Sequence, residues 1–214
     1  IIIGLFGMFY AAWIALAQTD VKRLVAYSSI GHMGMMVVGL GVFNLLTLSG
    51  SFLQMINHGI SASALFAMVG MLHERLDSRE FAKLGGLWKE MPIFSAFFLF
   101  FALASMGLPG LNNFVGEILI LIGTFKTLPL VAVLCFVGVI LGVIYMLRMV
   151  QDCLFGEARQ ERTLWDVKPR EIFILLLMAL PVLYIGLHPG PILKLFESSI
   201  NVMLQQTTLM AQNF

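Results

Sequence analysis

Apolar runs about as long as a bilayer is thick alternate with short polar stretches along the whole chain. The runs cover about residues 1–18, 24–43, 50–72, 92–125, 130–153 and 171–187. A helix needs about 20 apolar residues to cross the hydrocarbon core, so the pattern predicts an all-α, polytopic membrane protein with six transmembrane helices. A membrane β-barrel would show ~10-residue segments of alternating polarity instead. His188-Pro189-Gly190-Pro191 stops the last run, and residues 192–210 predict an amphipathic helix. The chain thus divides into a transmembrane domain over 1–190 and an amphipathic tail over 191–214.

The fourth run differs from the others. Gly107, Pro109 and Gly110 interrupt it. Proline cannot donate a backbone hydrogen bond, and it disfavours helix in the residue before it. The run over about 92–125 is therefore expected to be one discontinuous helix, and Asn112 and Asn113 can satisfy its freed backbone groups or cap its second half. The links are expected at 19–23, 44–49, 73–91, a turn at Thr124–Pro129, and 154–170.

Charge fixes a direction. One set of links collects Lys22, Arg23, Arg75, Arg79, Lys83, Lys89, Arg148, Arg159, Arg162, Lys168 and Arg170, and the other only Lys126 and Lys194. Eleven against two is a strong positive-inside asymmetry. Links 19–23, 73–91 and 154–170 are expected on the cytoplasmic side (or its organellar equivalent), and both chain ends on the other.

Composition agrees with this picture. The 214 residues are 59% hydrophobic and 12% charged, against about 25% charged in a soluble domain. The net charge of +1 comes with no basic stripe, so the expected environment is a lipid bilayer and no nucleic-acid partner is implied. Cys135 and Cys153 fall on one predicted span and cannot bridge each other. No Cys or His spacing resembles a metal, haem or iron–sulfur site. Ile1 already lies inside an apolar run with no signal-peptide pattern around it. The chain is expected to be the back part of a longer protein.

The chemistry is concentrated at membrane depth. Glu117 is the one carboxylate deep inside a run, and an intramembrane ionisable residue is a functional hypothesis by default. His32 lies about nine residues into the second run, roughly 13 Å from the membrane face. His58 is at similar depth in the third run, entered from the opposite side. Tyr27, Ser28 and Ser29 precede His32, and Asn57 and Ser61 flank His58. Ser28 and His32 share a helix face, as do Asn57 and Ser61. Histidine titrates near neutrality and has two ring nitrogens, so it can pass a proton on. These residues outline a proton path ending at Glu117. The alternative is that Ser, Asn and His simply bond helices together.

Several motifs together resemble the antiporter-like subunits of respiratory complex I, the proton-translocating NADH–quinone oxidoreductase. They are the segment from Ala17 to Gly34, Met55-Ile56-Asn57-His58-Gly59-Ile60-Ser61, Gly85-Gly86-Leu87-Trp88, and Gly107-Leu108-Pro109-Gly110 followed by Asn113-Phe114-Val115-Gly116-Glu117. Glutamate rather than lysine at 117 resembles the subunit M branch, called subunit 4 in mitochondria. The likeness covers nearly the whole chain and is weakest after Gly190.

The resemblance implies helices nine to fourteen of a fourteen-helix subunit, with the discontinuous helix twelve at 92–125. It implies that Glu117 is the terminal charged residue of a half-channel, and that His32 and His58 connect to it. The family's two buried lysines and its helix-five glutamate belong to an earlier stretch, so these residues would hold one half-channel. No cofactor is implied in this chain; NADH, flavin, iron–sulfur clusters and quinone belong to partner subunits. The implied partners are other membrane-arm subunits, sister antiporter-like subunits among them, in a bacterial inner membrane or an equivalent energy-transducing membrane. Relatives in cation/proton antiporter and membrane-bound hydrogenase complexes share these motifs. A non-conducting structural subunit is the remaining alternative.

The charge asymmetry makes one prediction directly. A thiol label at residue 78 should react from the cytoplasmic side and one at residue 127 from the opposite side. Labelling of both from the same side would rule out six crossings.

Overall fold

The computed structural model describes residues 1–157 and 164–212. Arg159 and Arg162, counted in the charge asymmetry, lie outside the described residues, as do residues 213 and 214 of the tail. The helices are α1 (Ile2–Leu16), α2 (Val21–Val42), α3 (Leu45–Leu76), α4 (Leu87–Glu90), α5 (Pro92–Ser105), α6 (Asn112–Thr127), α7 (Pro129–Leu154), α8 (Pro169–Leu187) and α9 (Gly190–Gln212). Four of them, α2, α3, α7 and α8, are each long and apolar enough to cross a membrane. Helices α1 and α5 are apolar but shorter. The run at 92–125 is two helices, α5 and α6, and α6 extends to Thr127.

Two boundaries differ from the sequence reading. The link expected at 44–49 does not exist, and α3 begins at Leu45 and runs for 32 residues. Asn44 is the cause. Its side chain accepts the Thr47 N–H at 2.9 Å, while the Thr47 hydroxyl accepts the Asn44 N–H at 3.2 Å. This reciprocal capping box starts a helix at once after the α2 end. The turn expected at Thr124–Pro129 also shrinks. Leu128 alone separates α6 from α7, with Pro129 in the first turn of α7, where its missing N–H costs no helical bond.

The charged links form one connected layer at one end of the bundle. Asp20 caps α2 by accepting the Arg23 N–H at 3.0 Å, and it pairs with Arg79 at 3.6 Å. The Val21 N–H donates to the Arg79 carbonyl, and the Phe81 N–H to the Thr19 carbonyl. The Gly86 N–H donates to Phe155. Asp166 accepts the Ile93 and Phe94 N–H groups at 2.8 and 3.0 Å, capping the start of α5. Arg75 grips both Glu171 oxygens at 3.1 and 2.6 Å and also donates to the Trp165 and Asp166 carbonyls. Links 19–20, 77–91 and 164–168 therefore share one end.

Between the ends much of the interior is apolar, apart from a buried polar stretch along α3 and α6. Phe94, Phe98 and Phe101 of α5 are fully buried with Leu65, Met68 and Leu72 of α3 and Met146 and Met149 of α7. The outer surface is apolar as well. Phe6, Trp13, Leu130, Phe136, Phe173 and Leu177 are each more than half exposed, as a lipid-facing surface requires.

Lipid tails are as apolar as leucine, so helix contacts in a membrane depend on close packing. Glycines supply it between α3 and α6. A methyl group on Gly50 would lie 2.9 Å from the Gly116 carbonyl oxygen, and one on Gly123 would lie 2.9 Å from the backbone nitrogen of Thr47. Both near neighbours are backbone atoms, which cannot swing away. Gly123→Val is therefore expected to wedge the helices apart and destabilise the fold by about 1–3 kcal/mol. A lowered thermal midpoint in detergent would register this; an unchanged midpoint would mean that the seam is loose.

Candidate functional site

The site is built where α5 gives way to α6. Gly107 and Gly110 adopt φ values of +73° and +94°, which L side chains resist. The chain turns through Leu108 and Pro109, held by the Leu108 N–H on the Leu103 carbonyl and the Leu111 N–H on the Leu108 carbonyl. Irregular backbone at membrane depth is tolerated only when protein or water satisfies it. Contrary to the sequence expectation, neither Asn112 nor Asn113 caps the second half: Leu111 is the N-cap of α6, with no side-chain cap hydrogen bond, and both amides bond to α3 instead. The Asn57 amide donates to the Asn112 carbonyl at 2.7 Å, and the Asn112 amide donates back to the Asn57 carbonyl at 2.9 Å. One turn along, the Asn113 amide donates to the Ser61 hydroxyl at 3.0 Å, and Ser61 donates to the Asn57 carbonyl. Gly186 of α8 lies against the Gly110 carbonyl and the Leu111 backbone, so closely that a methyl group there would clash.

Glu117 follows on the second turn of α6, 5% exposed. Its Oε1 lies 3.3 Å from His32 Nδ1 on α2 and 3.3 Å from Gln54 Nε2 on α3. Its Oε2 sits beneath Gly107, where a β-carbon would lie 2.5 Å away. The missing side chain at 107 therefore has two uses: it permits the turn, and it leaves room for the carboxylate. The His32 ring in turn lies 4.8 Å from the His58 ring, tilted by 36°. Three titratable groups from α2, α3 and α6 thus form a continuous row from Glu117 through His32 to His58. Around them, Gln54 Oε1, Asn57 Oδ1, His58 Nδ1, Asn112 Oδ1 and Asn113 Oδ1 are buried without a hydrogen-bond partner among the described residues. Buried polar atoms of this kind are the usual seats of internal water.

The structure sorts the sequence candidates. Glu117, His32 and His58 come together, and Gly107, Pro109 and Gly110 form the break above them. Asn57 and Ser61 sit beside the row, but their hydrogen bonds go to the start of α6 rather than to an imidazole. Ser28 shares a face with His32 as expected, yet its hydroxyl donates to the Val25 carbonyl at 2.7 Å. The Ser29 hydroxyl bonds the same carbonyl at 3.2 Å. Tyr27 packs against the apolar core. None of these three has a hydrogen bond to the row. Sequence reasoning gave Gln54 no role. The signal was available: Gln54, Asn57, His58 and Ser61 recur at helical spacing and form one polar stripe along α3.

Comparison with known proteins bears on this arrangement. Residues 1–144 match the family model described as NADH:quinone oxidoreductase/Mrp antiporter, transmembrane. The chain is 43% identical over 203 residues to NADH-quinone oxidoreductase subunit M of Pseudomonas aeruginosa, covering 95% of this chain and 40% of that protein. It is 40% identical over 206 residues to NADH-quinone oxidoreductase subunit M of Escherichia coli K12, with the same coverage. The chain thus spans about 40% of the length of these relatives. A chain of respiratory complex I from Thermus thermophilus with bound NADH superposes with a TM-score of 0.85 at 32% identity, over 92% of this chain and 43% of that one. A chain of the Mrp complex from Dietzia shares the fold, with a TM-score of 0.82 at 18% identity, over 98% of this chain and 48% of that one.

The position of Gly107 predicts an asymmetry between glycines. Gly107→Ala forces a positive φ on alanine and pushes a methyl group into the Glu117 carboxylate, so it should cost about 1–3 kcal/mol. Gly59 lies within α3 with open space around it. Gly59→Ala should be neutral, or stabilising by up to about 1 kcal/mol. Thermal melts of the two variants compare them directly; equal melting points would show that the carboxylate does not depend on the bare backbone above it.

Proposed function

The chain belongs to the NADH:quinone oxidoreductase/Mrp antiporter transmembrane family, and from that premise we propose that it is a proton-translocating part of the membrane arm of an NADH–quinone oxidoreductase. The observation that carries this reading is the row Glu117–His32–His58 beneath a helix break at membrane depth. The identities of 40–43% to proteins named NADH-quinone oxidoreductase subunit M support it.

In this reading Glu117 loads and releases a proton. Its Oε1 faces His32 Nδ1 at 3.3 Å, so a proton can pass between carboxylate and imidazole across one short gap. An imidazole that takes a proton on one nitrogen can give one up from the other, and His58 is the next group along. Gln54 orients the carboxylate through its amide. The break brings backbone dipoles and water to a depth that an unbroken helix would keep dry. Electron transfer from NADH to quinone takes place in partner subunits, which hold the flavin, the iron–sulfur clusters and the quinone; this chain carries out no redox step. Its neighbours are other membrane-arm subunits, sister antiporter-like subunits among them. The six crossings are α1, α2, α3, α5 with α6, α7 and α8. The charged layer faces the cytoplasm of a bacterium, or the matching side of another energy-transducing membrane. A role in a cation/proton antiporter is the second reading, because the matching family model spans Mrp antiporters as well.

Glu117→Gln keeps shape and hydrogen bonding but removes the titrating group. In a complex reconstituted into vesicles, it should assemble normally and lose proton pumping by at least about tenfold. Glu117→Asp should keep part of the activity. His32→Ala and His58→Ala should lower pumping more than they lower assembly. Wild-type pumping by Glu117→Gln would remove Glu117 from any proton path.

A further inference from the structure

A second polar group reaches the carboxylate's surroundings from an element that the row does not use. Tyr145 sits on α7 in the middle of an apolar stretch and is 3% exposed. Its hydroxyl lies over two glycines. Methyl groups on Gly31 of α2 and Gly142 of α7 would be 3.7 and 3.6 Å from it. Gly31 immediately precedes His32. Among the described residues the hydroxyl has no hydrogen-bond partner, although a buried phenol almost always finds one.

The hydroxyl borders a cavity. Tyr145, His32, Glu117 and Ser105 line it, with Gly31 and Met8 closing its sides. The volume open to the centres of water molecules is about 30 Å³. A single water needs roughly 10–15 Å³ on this measure and two or more polar partners. The cavity therefore has room for about two waters, and four polar side chains from α2, α5, α6 and α7 to hold them.

We propose that Tyr145 is a positioning residue of the proton path. Its hydroxyl fixes the cavity water that meets the Glu117 carboxylate, and so opens a route to Glu117 and His32 from the α1–α2–α7 side, one that does not pass through His58. The bare surfaces of Gly31 and Gly142 keep the space around the hydroxyl clear. The titratable groups facing this space are His32 from α2 and Glu117 from α6. On α7 itself, Arg148 and Asp152 follow one and two turns further on, paired with each other at 3.6 Å. Helix α1 contributes only Met8 and Ala12 to the lining, and the end of α5 only Ser105 and its C-cap Met106.

The inference rests on the proton-pumping reading, so its test carries Glu117→Gln beside it. Tyr145→Phe removes one oxygen and leaves the ring packing intact. In the whole complex in vesicles, with NADH as reductant, the variant should assemble fully. It should pump roughly fivefold more slowly, about the effect of one lost hydrogen bond, with a displaced pH midpoint of turnover. If Tyr145→Phe matches the wild type in rate and pH profile while Glu117→Gln is impaired, the role of Tyr145 is refuted and the proton-path reading stands. A slower Tyr145→Phe with an unmoved pH profile would mean that the hydroxyl only packs, which also refutes it. Normal pumping by both variants would remove the proton-path reading, and this inference with it.

Discussion

A backbone that leaves the helix inside hydrocarbon must find partners for the groups it frees, and no solvent is there to supply them. In this fold the last α5 carbonyls are taken up inside the turn, by the N–H groups of Met106, Gly107 and Leu108, and the Asn57–Asn112 exchange holds the turn's far end. Each amide donates to the other residue's carbonyl, so the start of α6 is tied to α3. Everything chemical at the site depends on it. The exchange fixes where α6 begins, and the start of α6 fixes the angle at which Glu117 faces α2 and α3. The glycine seam along α3 and α6 then sets the depth. With Gly50, Gly116 and Gly123 at the contact, the helices approach closely enough for Gln54 to reach the carboxylate.

The same economy appears at the charged end. Asp166 satisfies two donors at the start of α5, and Arg75 satisfies a carboxylate and two carbonyls on the segment that leads into α8. Individual surface ion pairs contribute little. These groups matter because they are shared: each side chain holds two or more segments at once. The three charged links therefore behave as one layer, although each is far from the others in sequence.

Much of this was legible in the residues alone. Pro109 flanked by glycines can hardly continue a helix, so the break was readable. Glu117 stood out because no other carboxylate shares its depth. The similar depth of His32 and His58 was readable by counting residues inward from opposite faces; that their rings meet was not. What could not be read was register between helices. Nothing local in Asn57 says that it faces Asn112 rather than His32, because that depends on how α3 slides along α6, and glycines set the slide without announcing a partner. The early start of α3 was hidden for a different reason. Asn44 reads as a loop residue until Thr47 is recognised as the other half of its cap. Tyr145 was hidden because an aromatic ring in an apolar helix reads as packing, and only the third dimension shows where its oxygen points.

Helix α5 joins these two regions. At one end its first amides rest on Asp166 in the charged layer; at the other, its last turn leads into Gly107 above the Glu117 carboxylate. Its 14 residues make a strut roughly 21 Å long, stiffened by the buried ring stack of Phe94 and Phe98. One helix thus spans the distance between the charged layer and the carboxylate, with its first turn anchored on Asp166 and its far end opening onto the glycine that makes room for Glu117.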